Sequence, residues 1–422
     1  MRVLYVHHCG IFGGSSRSLC EVIREITAKG VDACVLTPSG NAAEQFAAAG
    51  AQVTTCGGIT QWDNTLYSYY RGLRWLVLLR ELLYLPTTVF GLLKAKKRWP
   101  DVDFVHVNEI TAVVPALIAR ALFRCPVLIH ARSVYRTTAE SRRSRFILRL
   151  LLSVVDRIVA IDQTVARSLP PSERIVVIHN SFSSRETQGS DRVVEFVAKR
   201  ASATSRLKVA MVGNLIGVKG VREFVEAAKL CRDRGLKIDF FLVGGNIRRK
   251  TNRLRFVEWI GLNQDVRDWM ERFISDNALH DVVHLTGPTM NIGEVYKRID
   301  VLCFPSYFDA PGRPVFEAAF FAVPSIVAVT RPTADTFVHE QTGLAIPARN
   351  AEALADAIQR LHDHPSERKH MGYLAQRLAE ENFDVRKNAQ KLISLYKSLL
   401  PGKPGLSQTT TDDSPQTKSR RT

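Results

Sequence analysis

Apolar residues in this chain fall into short β-branched runs, set between longer stretches whose apolar positions recur every three or four residues. The runs are "RVLYVHH" (2–8), "ACVLTP" (33–38), "FVHVN" (104–108), "PVLIHA" (126–131), "RIVAI" (157–161) and "RIVVIHN" (174–180). Helical periodicity fills 16–29, 111–123 and 141–155 between them. This alternation predicts a parallel sheet with helices on both faces, because parallel strands need crossovers and are buried on both sides. The pattern restarts at "LKVAMVGN" (207–214) and runs through "IDFFLVGG" (238–245), "VVHLTG" (282–287), "VLCFPS" (301–306) and "PSIVAV" (324–329). The expectation is an α/β chain of two doubly wound, Rossmann-like units, 1–180 and 207–385. The Ser-rich, charged stretch 181–206 reads as their linker. Residues 386–400 read as a helix returning to the first unit, and the Pro/Ser/Thr-rich 401–422 as a disordered tail.

Size agrees with that division, since 422 residues exceed what one hydrophobic core supports. A net charge of +17 implies anionic partners. No module for base or strand recognition accompanies it, which excludes nucleic acid and leaves nucleotide phosphates or an anionic membrane surface. Seven cysteines, scattered and without a CxxC pair, fit a reducing, cytoplasmic compartment with no structural zinc. The first apolar run is too short, and too soon broken by His7 and His8, for a signal peptide. The longest apolar stretch, "LRWLVLLRELLYLPTTVFGLL" (73–93), is interrupted by Arg74, Arg80, Glu81 and Pro86, so it is not a membrane span. Seven Lys/Arg against one Glu lie between Tyr70 and Trp99, and six Arg against one Glu between His130 and Arg149. That is the make-up of an interfacial element at an anionic membrane; the other reading is a core helix with a basic face.

Open α/β sheets bind ligands beyond the carboxyl ends of their strands, so chemistry is sought there. Gly13 and Gly14 follow the first strand and open a helix, where bare backbone amides can approach a phosphate. They do not complete a GxGxxG dinucleotide fingerprint. Asn108, Glu109, His130 and Arg132 follow two later strands. In the second unit Asn214 and Lys219 follow "VAMVG", and a lysine there can meet a diphosphate as a point charge. "PSYFDAPGRPVFEAAFFAVPSI" (305–326) sets Asp309 and Glu317 eight apart across a loop with Gly312 and Arg313. Such a pair of acids suits proton transfer, hydrogen bonding to sugar hydroxyls, metal binding, or a plain turn and helix start. "DVD" (101–103) precedes its strand and so lies at the sheet end remote from any cleft, which argues against a metal site.

With order and spacing taken together, the chain resembles the retaining glycosyltransferases of family four, of GT-B fold. These carry a Glu–seven residues–Glu signature before a "GxP" strand, an early Gly-Gly loop and an Arg/Lys pair five apart. The resemblance implies a nucleotide-diphosphate-sugar donor, a glycan or lipid-linked acceptor, no cofactor and no metal. It assigns Glu317 to the donor ribose, Asp309 to the donor sugar, Lys219 to the diphosphate, Gly13 and Gly14 to the donor phosphate, and His130 to the acceptor side. Three departures stand out: Asn214 in place of Arg, Asp309 in place of Glu, and Pro314 in a loop that usually presents amides. Arg313, Arg248 or Arg249 could restore the missing charge. A nucleotide-sugar epimerase or a catalytically weak scaffold subunit of the same fold are the alternatives.

Overall fold

The computed structural model describes residues 1–66, 77–136, 142–183, 191–245 and 266–400. Two wholly parallel sheets organise the chain. The first contains β1 (Arg2–Val6), β2 (Asp32–Pro38), β3 (Gln52–Cys56), β4 (Phe104–Val107), β5 (Val127–Ala131), β6 (Arg157–Ala160) and β7 (Ile175–Val177), in the order 3-2-1-4-5-6-7. The second contains β8 (Leu207–Val212), β9 (Ile238–Val243), β10 (Val283–Gly287), β11 (Val301–Phe304), β12 (Ser325–Ala328) and β13 (Gly343–Ile346), in the order 10-9-8-11-12-13. Strand order reverses between β1 and β4 and again between β8 and β11. A doubly wound sheet opens a crevice at such a switch point, so two binding crevices follow from topology alone.

Two strands, β3 and β13, fall outside the apolar runs of the sequence. Both lie at a sheet edge, where one-sided pairing demands no continuous apolar run. A larger difference concerns the stretch expected to be linker. Residues Arg192–Ala203 are a helix, capped by Asp191, which accepts from Val193 N at 2.9 Å. Val193 and Val197 are buried in the second half's core. The rest of that stretch, 184–190, and the tail 401–422 lie outside the described residues, as do Arg248 and Arg249.

The chain crosses between the halves twice, side by side: Phe182 N donates to Phe383 O at 3.1 Å, and Asn388 Nδ2 to Asn180 O at 3.5 Å. After the second crossing, the helix Val385–Ser398 packs on the helix Gly14–Thr27 of the first half. Tyr396 Oη lies 2.9 Å from Tyr5 Oη and 2.6 Å from His106 Nδ1, so this helix satisfies polar groups inside the first sheet.

Asp239, fully buried at the start of β9, ties the unexpected helix down. It accepts from Arg200 (3.1 Å), Thr204 (2.7 Å) and His284 (3.2 Å). Burial pushes its carboxyl up, but the bonds from His284, Thr204 and Arg200 outweigh it and hold the group down at about 2. A carboxylate depressed on folding stabilises above its unfolded range, and that stability is lost as pH falls through the folded value. Asp239→Ala is expected to destabilise the protein by about 3 kcal/mol in urea unfolding at pH 7. The gap to wild type should narrow between pH 4 and pH 2; a gap unchanged by pH would show that packing, not charge, is lost.

Candidate active site

The carboxyl-end loops of both sheets face each other across a cleft of about 520 Å³, lined from both halves. From the second half come Lys219, Phe304, Phe308, Ala310, Pro311, Gly312 and Arg313; from the first, His8, Gly14, Asp63, Glu109, Arg132 and Asp162, among others. These loops follow β1, β3, β4, β5 and β6 on one side, and β8 and β11 on the other, so both switch points open into the same cavity.

Lys219 closes a short 3₁₀ turn, Gly217–Lys219, after β8. Gly220 follows at φ +80°, and a Cβ there would lie 2.1 Å from Pro305 O, so only glycine lets the β8 and β11 loops touch. Tyr307 N donating to Val218 O at 2.9 Å laces them further. Lys219 Nζ is thereby held 4.6 Å from the Phe308 ring centre and 5.3 Å from that of Phe304. It forms no ion pair with a carboxylate of the described residues. Aromatic faces attract a cation without neutralising it. Burial pushes this amine down to about 8.

Gly312 precedes the helix Arg313–Ala319; a Cβ there would strike the Phe304 ring at 2.2 Å. The next residue contradicts the expectation that Arg313 restores a free positive charge. Its guanidinium is ion-paired with Glu317 (2.5 Å) and Glu21 (2.6 Å), and donates to Ser18 (2.6 Å). Glu317 is buried beside the cavity, behind Arg313, and accepts from Tyr296 Oη at 2.9 Å.

Opposite, Arg132 leaves β5 into the cleft held by neutral amides. Nη1 donates to Asn180 Oδ1 at 2.7 Å, and Nη2 and Nε donate to Asn108 Oδ1 at 2.8 and 3.1 Å. Burial pushes it down to about 10. Glu109 accepts from Ile110 N at 2.9 Å, and burial raises its carboxyl to about 7. Four imidazoles surround this corner, and burial keeps them neutral: His8 is pushed down to about 4, His106 to about 3, and His7 and His130 well below their usual range.

Gly13 caps the helix Gly14–Thr27 with its N–H 3.0 Å from Ser16 Oγ. At φ −148° it needs no special freedom. Its use is room, since no atom lies within 4 Å of a Cβ at Gly13 or Gly14 and the backbone stays open to the cleft.

Three expected site residues stand elsewhere. Asp309, exposed at φ +47°, turns from the cavity, and its carboxylate accepts from Thr330 N at 2.5 Å beyond β12. His130 stacks on His106 with ring centres 5.3 Å apart inside the first half and does not line the cleft. Asn214 is exposed and also off the cavity wall. The "DVD" acids bind Arg2 at the opposite sheet end: Asp103 accepts from Arg2 N at 2.7 Å, and Asp101 pairs with its side chain. Among the described residues no three His, Cys, Asp or Glu cluster as a metal site. Sequence reading missed Glu21, Ser18, Tyr296 and Asn180. None stands at a strand end marked by glycine: packing of the halves brings Glu21 and Ser18 to Arg313, and packing within each half brings Tyr296 to Glu317 and Asn180 to Arg132.

Two family models cover most of the chain. Residues 194–378 match the glycosyl transferases group 1, and residues 13–181 the glycosyl transferase 4-like domain. The capsular polysaccharide biosynthesis glycosyltransferase CapM of Staphylococcus aureus is 21% identical over 197 residues, 47% of each chain. The alpha-D-kanosaminyltransferase of Streptomyces kanamyceticus is 23% identical over 59% of this chain and 60% of its own length. The match thus spans about half of the first relative and three fifths of the second. The D-inositol 3-phosphate glycosyltransferase of Corynebacterium aurimucosum is 24% identical over 70% of this chain and 72% of its own. Among solved structures, Anabaena HepE in complex with UDP superposes with a TM-score of 0.71 at 18% identity, covering 94% of this chain and 100% of that one. The shared fold is GT-B.

Asp309→Asn, which keeps the left-handed turn and the acceptor to Thr330, is expected to change any activity of the cleft by no more than about twofold. A loss of tenfold or more would return Asp309 to the reacting groups.

Proposed function

Since the chain belongs to the glycosyl transferase group 1 family, with a glycosyl transferase 4-like domain as its first half, we propose that it moves a sugar, with retention, from a nucleotide-diphosphate donor to a hydroxyl acceptor. The donor is assigned to the second half (207–385) and the acceptor to the first (1–180). The observation that carries this is Lys219, a half-buried cation that forms no ion pair among the described residues, in a cavity shared by both halves. A charge left uncompensated at a cost in desolvation suits an anionic ligand, and the leaving diphosphate is that ligand.

In this reading the acceptor oxygen bonds to the anomeric carbon on the face from which the diphosphate departs. The carbon–oxygen bond to the diphosphate breaks, and the acceptor proton passes to a leaving phosphate oxygen. Lys219 and the open backbone at Gly13–Gly14 stabilise the charge that develops, and no resident metal is assigned. Asn108 and Asn180 aim Arg132, with Glu109 beside it, at the acceptor side. Closure of the halves excludes water that would hydrolyse the donor.

The acceptor reading is a lipid-linked or membrane-proximal glycan at a cytoplasmic face, in surface polysaccharide or glycolipid synthesis. Among the described residues no helix is long and apolar enough to cross a membrane. The helix Val77–Arg98 nevertheless exposes Leu79, Leu82, Leu83 and Phe90, each 59–70% accessible. Lys96 donates to the carbonyl of Pro100 and Arg98 to that of Val53, while Lys94, Lys97, Arg142, Arg145 and Arg149 are exposed and supply the outward charge. Residues 67–76 and 137–141 of these basic stretches lie outside the described residues.

Three measurements test this. A thermal-shift screen of nucleoside diphosphates should find one that stabilises the protein, and Lys219→Met should weaken its binding by about tenfold, the worth of one charge-assisted hydrogen bond. Lysine holds a diphosphate only when protonated, so affinity should fall above pH 8, by at most about tenfold per pH unit; Lys219→Arg should remove that fall. Vesicles rich in phosphatidylglycerol should co-sediment the protein at low salt and release it at high salt. Binding to none at low salt would sink the membrane proposal and leave the transferase reading standing.

A further inference from the structure

Glu317 shares its arginine with a second buried acid from the opposite half. Arg313 Nε lies 2.5 Å from Glu317 Oε1, one turn along the same helix. The far end of the guanidinium crosses the cleft to the helix Gly14–Thr27, where Nη2 meets Glu21 Oε1 at 2.6 Å and Nη1 donates to Ser18 Oγ at 2.6 Å. All three charged side chains are buried, at 12% exposure for Arg313, 8% for Glu21 and 4% for Glu317.

One guanidinium cannot fully satisfy two buried carboxylates, so each acid weakens the other's hold on it. Glu317 shows the shortfall. Its Oε1 is within ion-pairing range of Arg313, and among the described residues it receives no well-directed hydrogen bond and Glu21 Oε2 has no hydrogen-bond partner. With the halves parted, Arg313 would have Glu317 alone, four residues on, and would occupy it. With the halves together, Glu21 draws the guanidinium across and leaves Glu317 with spare acceptor capacity.

We propose that Glu21 is a positioning residue acting through Arg313, so that Glu317 is ready for the donor's ribose hydroxyls only in the closed cleft. Nucleotide binding and closure are then one equilibrium. This rests on the donor-site reading above. Facing Glu21 are Arg17 and Arg24 from its own helix and Arg313 and Glu317 from the opposite one; Tyr296, which donates to Glu317, completes the set. Burial, only partly countered by Arg313, raises the Glu21 carboxyl to about 7. Below that pH it is protonated, Arg313 reverts to Glu317, and nucleotide affinity falls.

The test titrates UDP, GDP, ADP and dTDP into wild type, Glu21→Gln, Arg313→Gln and the double variant at pH 6, 7 and 8, each first checked for a native circular dichroism spectrum. The tightest nucleotide should bind Glu21→Gln about tenfold more weakly at pH 8. The wild-type loss between pH 8 and pH 6 should be absent in Glu21→Gln, and the double variant should be no worse than Arg313→Gln alone. Wild-type affinity and pH slope in Glu21→Gln, or additive losses, would overturn the proposal. If none of the four binds wild type, the donor reading fails by itself. The clasp is then judged by the distance between spin labels on the two halves: a distribution broadened by Glu21→Gln supports it, and an unchanged one removes it.

Discussion

Charge buried where two parallel sheets turn their carboxyl ends toward each other is the constraint on which this structure depends. A cation taken from water needs compensation, and the cleft holds three that solve the problem differently. Arg313 is matched by carboxylates, Arg132 by amide oxygens, and Lys219 by the faces of two phenylalanines. Only the first solution neutralises the charge. The other two orient it and leave it to act on whatever enters, which separates the groups that hold the halves together from those that meet a ligand.

The scaffold explains why these groups can be placed so closely. Lys219 depends on the contact of Gly220 with Pro305, and Arg313 on that of Gly312 with the Phe304 ring, so each charge is fixed beside a glycine packed against the carboxyl end of β11. The chain links the halves covalently at two adjacent crossings, hydrogen-bonded to each other through Phe182 N and Phe383 O, and the cleft between the halves is lined by charged and aromatic side chains alike. Contacts between the halves include the ion pair of Arg313 with Glu21 and the bonds of Asp335 with Gln163 N and His179.

Much of this was legible in the amino-acid order. Apolar runs and their spacing gave eleven of the strands, and the glycine-flanked Lys219 and the 305–326 loop marked the cleft because strand ends carry ligands. The illegible parts have physical causes. Edge strands β3 and β13 lack the apolar continuity that buried strands require. The helix Arg192–Ala203 hides in a polar composition because only Val193 and Val197 are buried in the core. Asp309 matched a signature position, yet its left-handed backbone turns it toward Thr330, and nothing in the spacing foretells that rotation. Glu21 looks like any acid on an amphipathic helix until the second half supplies Arg313.

Tyr396 has a consequence for how the chain is made. Its hydroxyl meets Tyr5 on the first strand and His106 on the fourth, so a helix translated after the whole of the second half completes the core of the first half. Throughout translation of the intervening residues, that half carries an uncovered apolar face and polar groups awaiting their partner. The half synthesised first is thus the half finished last. A stop codon just before Val385 would spare most contacts of the newer half while leaving the older one open to chaperones and proteases.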